Sequence, residues 1–185
     1  MNQPAGEVVV DGPGPASTET TSARSVVAAD VAWVLGSYVV LGLVGALAWW
    51  LLVEPAYFTK ADNGGLGMGE VQLAQRFDAD GWYAVIAAVL GLLSGGALTW
   101  WRSRDFLLTS VLLLLGSGIA AAVMAGAGRV LGPTDPGALA GGVAAGARLP
   151  TQLEVSSAVC YLVWPIAALI GALFVLWSPP VEPID

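Results

Sequence analysis

Two carboxylates one residue apart, Asp78 and Asp80, come nearer to a catalytic or cation-binding constellation than anything else in this 185-residue chain. Paired carboxylates can divide acid and base roles where their environments push their pKa values apart. A simpler role competes, because Asp80 directly precedes a long uncharged segment. At a helix start a carboxylate accepts from free backbone N–H groups and complements the helix dipole. The expectation is therefore a cap on the following helix. Cys160 is the single cysteine, so no disulfide can close within the chain, and the thiol reads as a small packing residue. Histidine is absent, which removes imidazole as a metal ligand and as a base. Neither a P-loop nor a complete dinucleotide fingerprint occurs. No catalytic residue, metal site or cofactor is expected.

The elements that position these residues belong to a membrane. Hydrophobic residues make up 56% of the chain and charged ones 11%, against roughly 25% charged in an ordinary soluble domain. The mean hydropathy is +0.74. Charge-free runs predict four spans, at about residues 31–53, 81–101, 106–128 and 158–177. At about 1.5 Å per residue, each is long enough to cross a hydrocarbon core of about 30 Å. Trp49 and Trp50, Trp82 and Tyr83, Trp100 and Trp101, and Trp177 lie at the predicted span ends, where an amphipathic indole favours the headgroup level. No Asp, Glu, Lys or Arg falls inside a span. That disfavours proton relays, ion-coupled carriers and voltage sensors, which place such groups at membrane depth.

Residues 1–30 are rich in Pro, Gly, Ser and Thr and predict a disordered cytoplasmic tail without a cleaved signal peptide. Within it, Val8, Val9 and Val10 form a short apolar run that belongs to the same disordered segment. Residues 31–178 form the membrane domain, and 179–185 a short second cytoplasmic tail. Arg102 and Arg104 crowd the short connection between spans two and three, so the positive-inside rule places that connection and both termini in the cytoplasm of a plasma membrane. Loops 54–80 and 129–157 then face outward. The net charge of −7 speaks against nucleic acid as a partner and against a polybasic lipid-binding surface.

In the first outward loop, Tyr57 and Phe58 lead to Asn63-Gly64, and Val71 and Leu73 follow in alternation. Asn-Gly between such runs is a hairpin signal. Thr151 to Val155 alternates likewise and predicts a third strand, since a lone hairpin is marginal in water. The two loops together then build a small β cap, with Tyr57, Phe58, Val71 and Leu73 as its outward interaction surface. Thr134-Asp135-Pro136 reads as an N-cap and first helical residue, predicting a short helix from 136 to about 145.

Inside the spans the informative residues are small. Ala87, Gly91, Gly95 and Thr99 recur every four positions on span two, and Gly118, Ala122 and Gly126 on span three. Gly42 with Ala46 and Ala167 with Gly171 are shorter versions. Such ladders let helix backbones approach closely, within one chain or between copies. Pro165 interrupts the backbone ladder of span four by removing a donor to the Tyr161 carbonyl.

Phe77-Asp78-Ala79-Asp80-Gly81-Trp82, Gly146-Ala147-Arg148-Leu149-Pro150 and Trp164-Pro165, behind a Trp-rich first span, resemble a group of actinobacterial four-span membrane proteins of unknown function. The resemblance covers residues 30–178 and implies the topology and an actinobacterial plasma membrane, with no activity to carry over. The architecture is also similar to that of claudins, although the paired cysteines and tryptophan signature of their first loop are missing. The resulting expectation is a four-helix membrane bundle with an extracytoplasmic β cap. Its partners are the lipid bilayer and a membrane protein or a second copy. Its role is that of a noncatalytic accessory or scaffold subunit; the alternative is a small carrier or channel for an uncharged or lipidic solute.

Overall fold

The computed structural model of the chain describes residues 16–102 and 106–178. The elements run α1 (Ala16–Leu52), β1 (Tyr57–Lys60), β2 (Leu66–Gly67), α2 (Glu70–Trp101), α3 (Phe106–Leu131), α4 (Pro136–Leu139) continued by a 3-10 turn (Ala140–Gly142), β3 (Arg148–Pro150) and α5 (Cys160–Trp177). Four of these helices, α1, α2, α3 and α5, are long and apolar enough to cross a membrane. The described residues fall into two compact units, one ending at Trp33 and the other beginning at Val34.

In the first unit the described residues are helical from Ala16, inside the segment expected to be disordered. Its Ser and Thr residues favour turns and caps, yet no Gly or Pro lies between Ala16 and Leu35 to stop a helix. The run at Val8 to Val10 and the tail 179–185 fall outside the described residues.

In the second unit the small-residue ladder of α2 does what its spacing predicts. Ala87, Gly91, Gly95 and Thr99 are all buried. A Cβ built on Gly91 would stand 2.8 Å from the Trp164 carbonyl and 2.9 Å from the Ala167 Cβ. One on Gly95 would run into the Ala168 carbonyl, and one on Gly171 into that of Leu92. The α2–α5 seam is therefore backbone against backbone. Gly42 of α1 is seated just as closely on α3, 2.7 Å from the Ala120 carbonyl for an added Cβ.

On α3 the expected face is not the one used. Gly118, Ala122 and Gly126 are exposed, and a Cβ added at Gly118 or Gly126 meets nothing within 4 Å. The buried stripe is Leu113, Gly116, Ser117, Ala120, Ala121, Met124 and Gly128. Two glycines of this stripe act as sockets for aromatic rings from α1: Gly116 for Tyr38 and Gly128 for Trp49. Ladder spacing repeats on more than one side of a Gly- and Ala-rich helix, and the rings of α1 select the side that turns inward.

The tryptophan belt needs a matching correction. Trp50, Trp100, Trp101 and Trp177 are exposed, as interfacial residues would be. Trp49 and Tyr83, however, are 0% exposed and lie against each other edge to face, with ring centroids 5.2 Å apart. The Trp49 Nε1 donates to the Ala79 carbonyl at 2.8 Å and the Tyr83 hydroxyl to the Ala121 carbonyl at 2.8 Å. Their polar atoms are satisfied inside the protein, so burial costs them no hydrogen bond.

The sheet has the order β2-β1-β3, antiparallel throughout. Phe58 faces Leu149 and Thr59 faces both Gly67 and Arg148. Gly64 takes φ +81 in the turn, where Ala61 and Gly65 close the loop and Asn63 Oδ1 accepts from the Gly65 amide at 3.0 Å. A hairpin and a third strand from the other loop are thus present, but the partner strands are Leu66–Gly67 and Arg148–Pro150, not the Val71–Leu73 and Thr151–Val155 stretches expected. Glu70 to Phe77 is helix instead. Alternation over three residues is a weak signal, whereas Gln, Leu, Ala and Arg are good helix formers and no Gly or Pro intervenes before Gly81.

Candidate functional site

The early start of α2 decides the geometry of the cap. With 32 residues it is about 48 Å long at about 1.5 Å per residue, well beyond a hydrocarbon core of about 30 Å. Its first three turns, which carry Glu70, Arg76, Asp78 and Asp80, extend past the apolar part and stand beside the sheet. The Gln72 Oε1 accepts from the Tyr57 amide at 2.7 Å, joining α2 to the first residue of β1.

Asp80 is not an N-cap. It lies nearly three turns inside α2, is 8% exposed, and its Oδ1 accepts from the Ser156 amide at 2.9 Å. The carboxylate holds the segment that leads into α5. Beside it, Arg76 donates to Ser156 Oγ at 3.1 Å and to Glu154 Oε1 at 3.2 Å. Arg129, from the end of α3, approaches the other Glu154 oxygen at 4.0 Å. Segment 154–156 is thus pinned from α2 by one acid and one base, with Glu154 shared between two guanidinium groups. Asp78 is exposed and takes no part, so the two carboxylates that looked paired in sequence do different things.

Lys60 ties the sheet to the other loop. Its Nζ donates to the Ala140 and Val143 carbonyls, each at 2.7 Å, accepting the role of a C-terminal cap for the short α4 and its 3-10 continuation. Asp135 caps the other end through Gly137 N at 2.9 Å, as its position before Pro136 predicts, although the helical stretch stops at Gly142. Between these elements lies a cavity of about 310 Å³, lined by Glu54, Phe58, Gln75, Arg76, Gln152 and Glu154 among others. Its walls hold three carboxylates with Asp135, one guanidinium and no histidine or thiol. No group of three His, Cys, Asp or Glu side chains suited to a metal ion occurs among the described residues.

Of the four residues expected to form one outward surface, Tyr57, Val71 and Leu73 are exposed while Phe58 is half-buried and lines the cavity. Val71 and Leu73 would share a face on a strand. On a helix, residues two apart do not. Leu73 instead pairs at i, i+4 spacing with Phe77, which is 69% exposed and was missed in the sequence. Arg76, Glu154 and Lys60 were missed too. For Lys60 and Arg76 the signal was scarcity, since only four cations lie in the two loops. No family model, curated protein or solved structure matches the chain.

Proposed function

We propose that the chain is an integral plasma-membrane protein with both termini in the cytoplasm, acting as a noncatalytic accessory subunit whose outward cap docks a membrane-protein partner. The observation that carries this reading is the contrast between a sealed interior and an apolar, braced cap. Gly91, Gly95 and Gly171 bring α2 and α5 so close that a methyl group has no room, which leaves no bore between them. Leu73, Phe77, Val71 and Tyr57 meanwhile stand exposed on a cap fixed by Asp80, Arg76 and Lys60. A rigid cap keeps such residues in place at little entropic cost on docking. The positions of Arg102 and Arg104 support the orientation, and the resemblance to actinobacterial four-span proteins supports the membrane.

Orientation is tested in a Cys160→Ala background. Gly64→Cys should react with an impermeant thiol reagent on intact cells and Ser17→Cys should not; the reverse pattern overturns it. Function is tested by crosslinking from Val71→Cys in native membranes. A stoichiometric adduct with one other membrane protein, lost in Phe77→Asp, is the expected result. A lone monodisperse protein that moves an uncharged or lipidic solute across liposome membranes would replace this reading with that of a carrier.

A further inference from the structure

The chain has two asparagines, and of these only Asn63 is followed by glycine. It stands at the tip of the β1–β2 hairpin, where Asn63, Gly64 and Gly65 are all exposed. An asparagine carries an electrophilic carboxamide carbon, Cγ, placed so that attack by the amide nitrogen of the following residue closes a five-membered succinimide ring. A side chain on that following residue obstructs the approach, and glycine has none. A Cβ built on Gly64 would meet nothing within 4 Å, so the surroundings add no obstruction of their own.

Two hydrogen bonds of the turn act on this step in opposite senses. The Gly65 amide donates to Asn63 Oδ1 at 3.0 Å, which polarises the carboxamide and offers a donor to the oxyanion that forms on it. The Gly64 amide, which is the nucleophile, donates to the Ala61 carbonyl at 2.9 Å and must leave that bond to turn onto Cγ. Leaving it costs little. β2 pairs with β1 at two positions, Thr59 with Gly67 and Lys60 with Leu66, and so short a hairpin opens locally far more readily than the long helices.

We propose that Asn63 is a site of spontaneous modification, at which the Gly64 nitrogen attacks Asn63 Cγ and the hairpin converts to aspartyl and isoaspartyl forms. The N–Cγ bond forms as the Gly64 amide proton passes to solvent; the Cγ–Nδ2 bond breaks and the carboxamide nitrogen leaves as ammonia. Water then opens the ring. Addition at the side-chain carbonyl gives an ordinary aspartate, and addition at the backbone carbonyl gives isoaspartate, whose main chain runs through Cβ and Cγ. The net change is one water consumed and one ammonia released. The aspartyl form keeps an acceptor for the Gly65 amide and with it the turn. The isoaspartyl form lengthens the main chain by one methylene, which puts the Gly64–Ala61 and Ala61–Gly65 bonds out of register and releases β2. β1 stays paired with β3 and tied through Lys60 to Gly146 and Ala147. The inference stands on the hairpin alone, and neither the docking role of the cap nor the orientation enters it.

The test incubates the full-length protein in mild detergent at neutral and at mildly alkaline pH and follows the peptide containing residue 63 by mass spectrometry. A one-dalton gain is expected, faster at the higher pH because the attacking amide must lose its proton. It should appear in two chromatographically separate forms, one of them a substrate for an isoaspartyl methyltransferase. Asn63→Gln, which would have to close a six-membered ring, should show no gain. Asn63→Asp, the aspartyl product encoded directly, should exchange its amides like the parent. In the isoaspartyl fraction, hydrogen exchange should quicken over residues 61–67 and stay at the parent rate at Thr151, whose amide donates to the Ala56 carbonyl. If the folded protein gains no mass while the same chain unfolded in urea does, the turn protects Asn63 and the proposal fails. An isoaspartyl fraction whose residues 61–67 exchange like the parent overturns the release of β2.

Discussion

Two ladders of small residues, alike on paper, have opposite fates. On α2, Gly91 and Gly95 press against the backbone of α5. On α3, Gly118, Ala122 and Gly126 look out of the bundle and pack on nothing within it. Four-residue spacing tells that a helix can be approached closely, and leaves open which side is approached. On α2 the partner ladder of Ala167, Ala168 and Gly171 supplies the answer, because two smooth faces gain most dispersion contact from each other. On α3 the neighbour is α1, whose Tyr38 and Trp49 rings need sockets, and Gly116 and Gly128 provide them. Complementarity of the facing surface, not smoothness alone, fixes the rotation of a helix.

The largest effect should come from Gly95. A Cβ there would overlap the Ala168 carbonyl, a backbone atom that cannot rotate away. Gly95→Ala should therefore already destabilise the bundle, and Gly95→Leu should do so by about 3 kcal/mol, the upper range for overpacking a tight core. Thermal melting in mild detergent measures this. Should Gly95→Leu melt like the parent, the α2–α5 seam is not the one described and the comparison fails at its first term.

Asp80 comes next, and it sharpens the contrast from the cap side. Asp80→Ala removes the acceptor for the Ser156 amide and leaves the segment tied to α2 by Arg76, through Ser156 Oγ and Glu154. The expected loss is about 1–2 kcal/mol, toward the lower end for a hydrogen bond to a charged group because Ser156 is exposed and water can replace the carboxylate. Hydrogen exchange should quicken over residues 154–160 while α1 is unaffected, and Asp80→Asn should retain part of the protection. Unchanged exchange in Asp80→Ala would show that Arg76 and Glu154 hold the segment without it.

How far the sequence carries the fold can be followed through these same residues. Four long apolar helices, a hairpin turning at Gly64 and the Asp135 cap were all legible, because hydropathy runs, a glycine with positive φ and an Asp before Pro are local signals, whereas the strand of the second loop was expected at Thr151–Val155 and lies at Arg148–Pro150. The extension of α2 to Glu70 was not. Charges end a hydropathy run, but they do not end a helix, and Arg76, Asp78 and Asp80 are as helical as the apolar residues after them. The role of Asp80 followed from that error: read as the first residue before a span it is a cap, while inside a longer helix it is a side chain facing the α5 approach. The Arg76–Glu154 pair joins residues 78 positions apart and no local pattern encodes it.

The smallest effect, and the one that separates the two ladders most cleanly, belongs to Gly118. Nothing lies within 4 Å of a Cβ added there, so Gly118→Ala meets no obstacle within the chain. A helix-interior glycine replaced by alanine gains about 0.5–1 kcal/mol from the narrower unfolded ensemble and better helix propensity. The variant should consequently melt slightly above the parent, whereas the same change at Gly95 should melt well below it. Both measurements belong in dilute detergent and again in vesicles at high protein density. If Gly118→Ala is neutral or stabilising in both, the outer face of α3 meets only lipid tails, which adjust to a methyl group. If it stabilises the dilute protein but weakens self-association in vesicles, the second ladder has the same use as the first, with a second copy of the chain in place of α5.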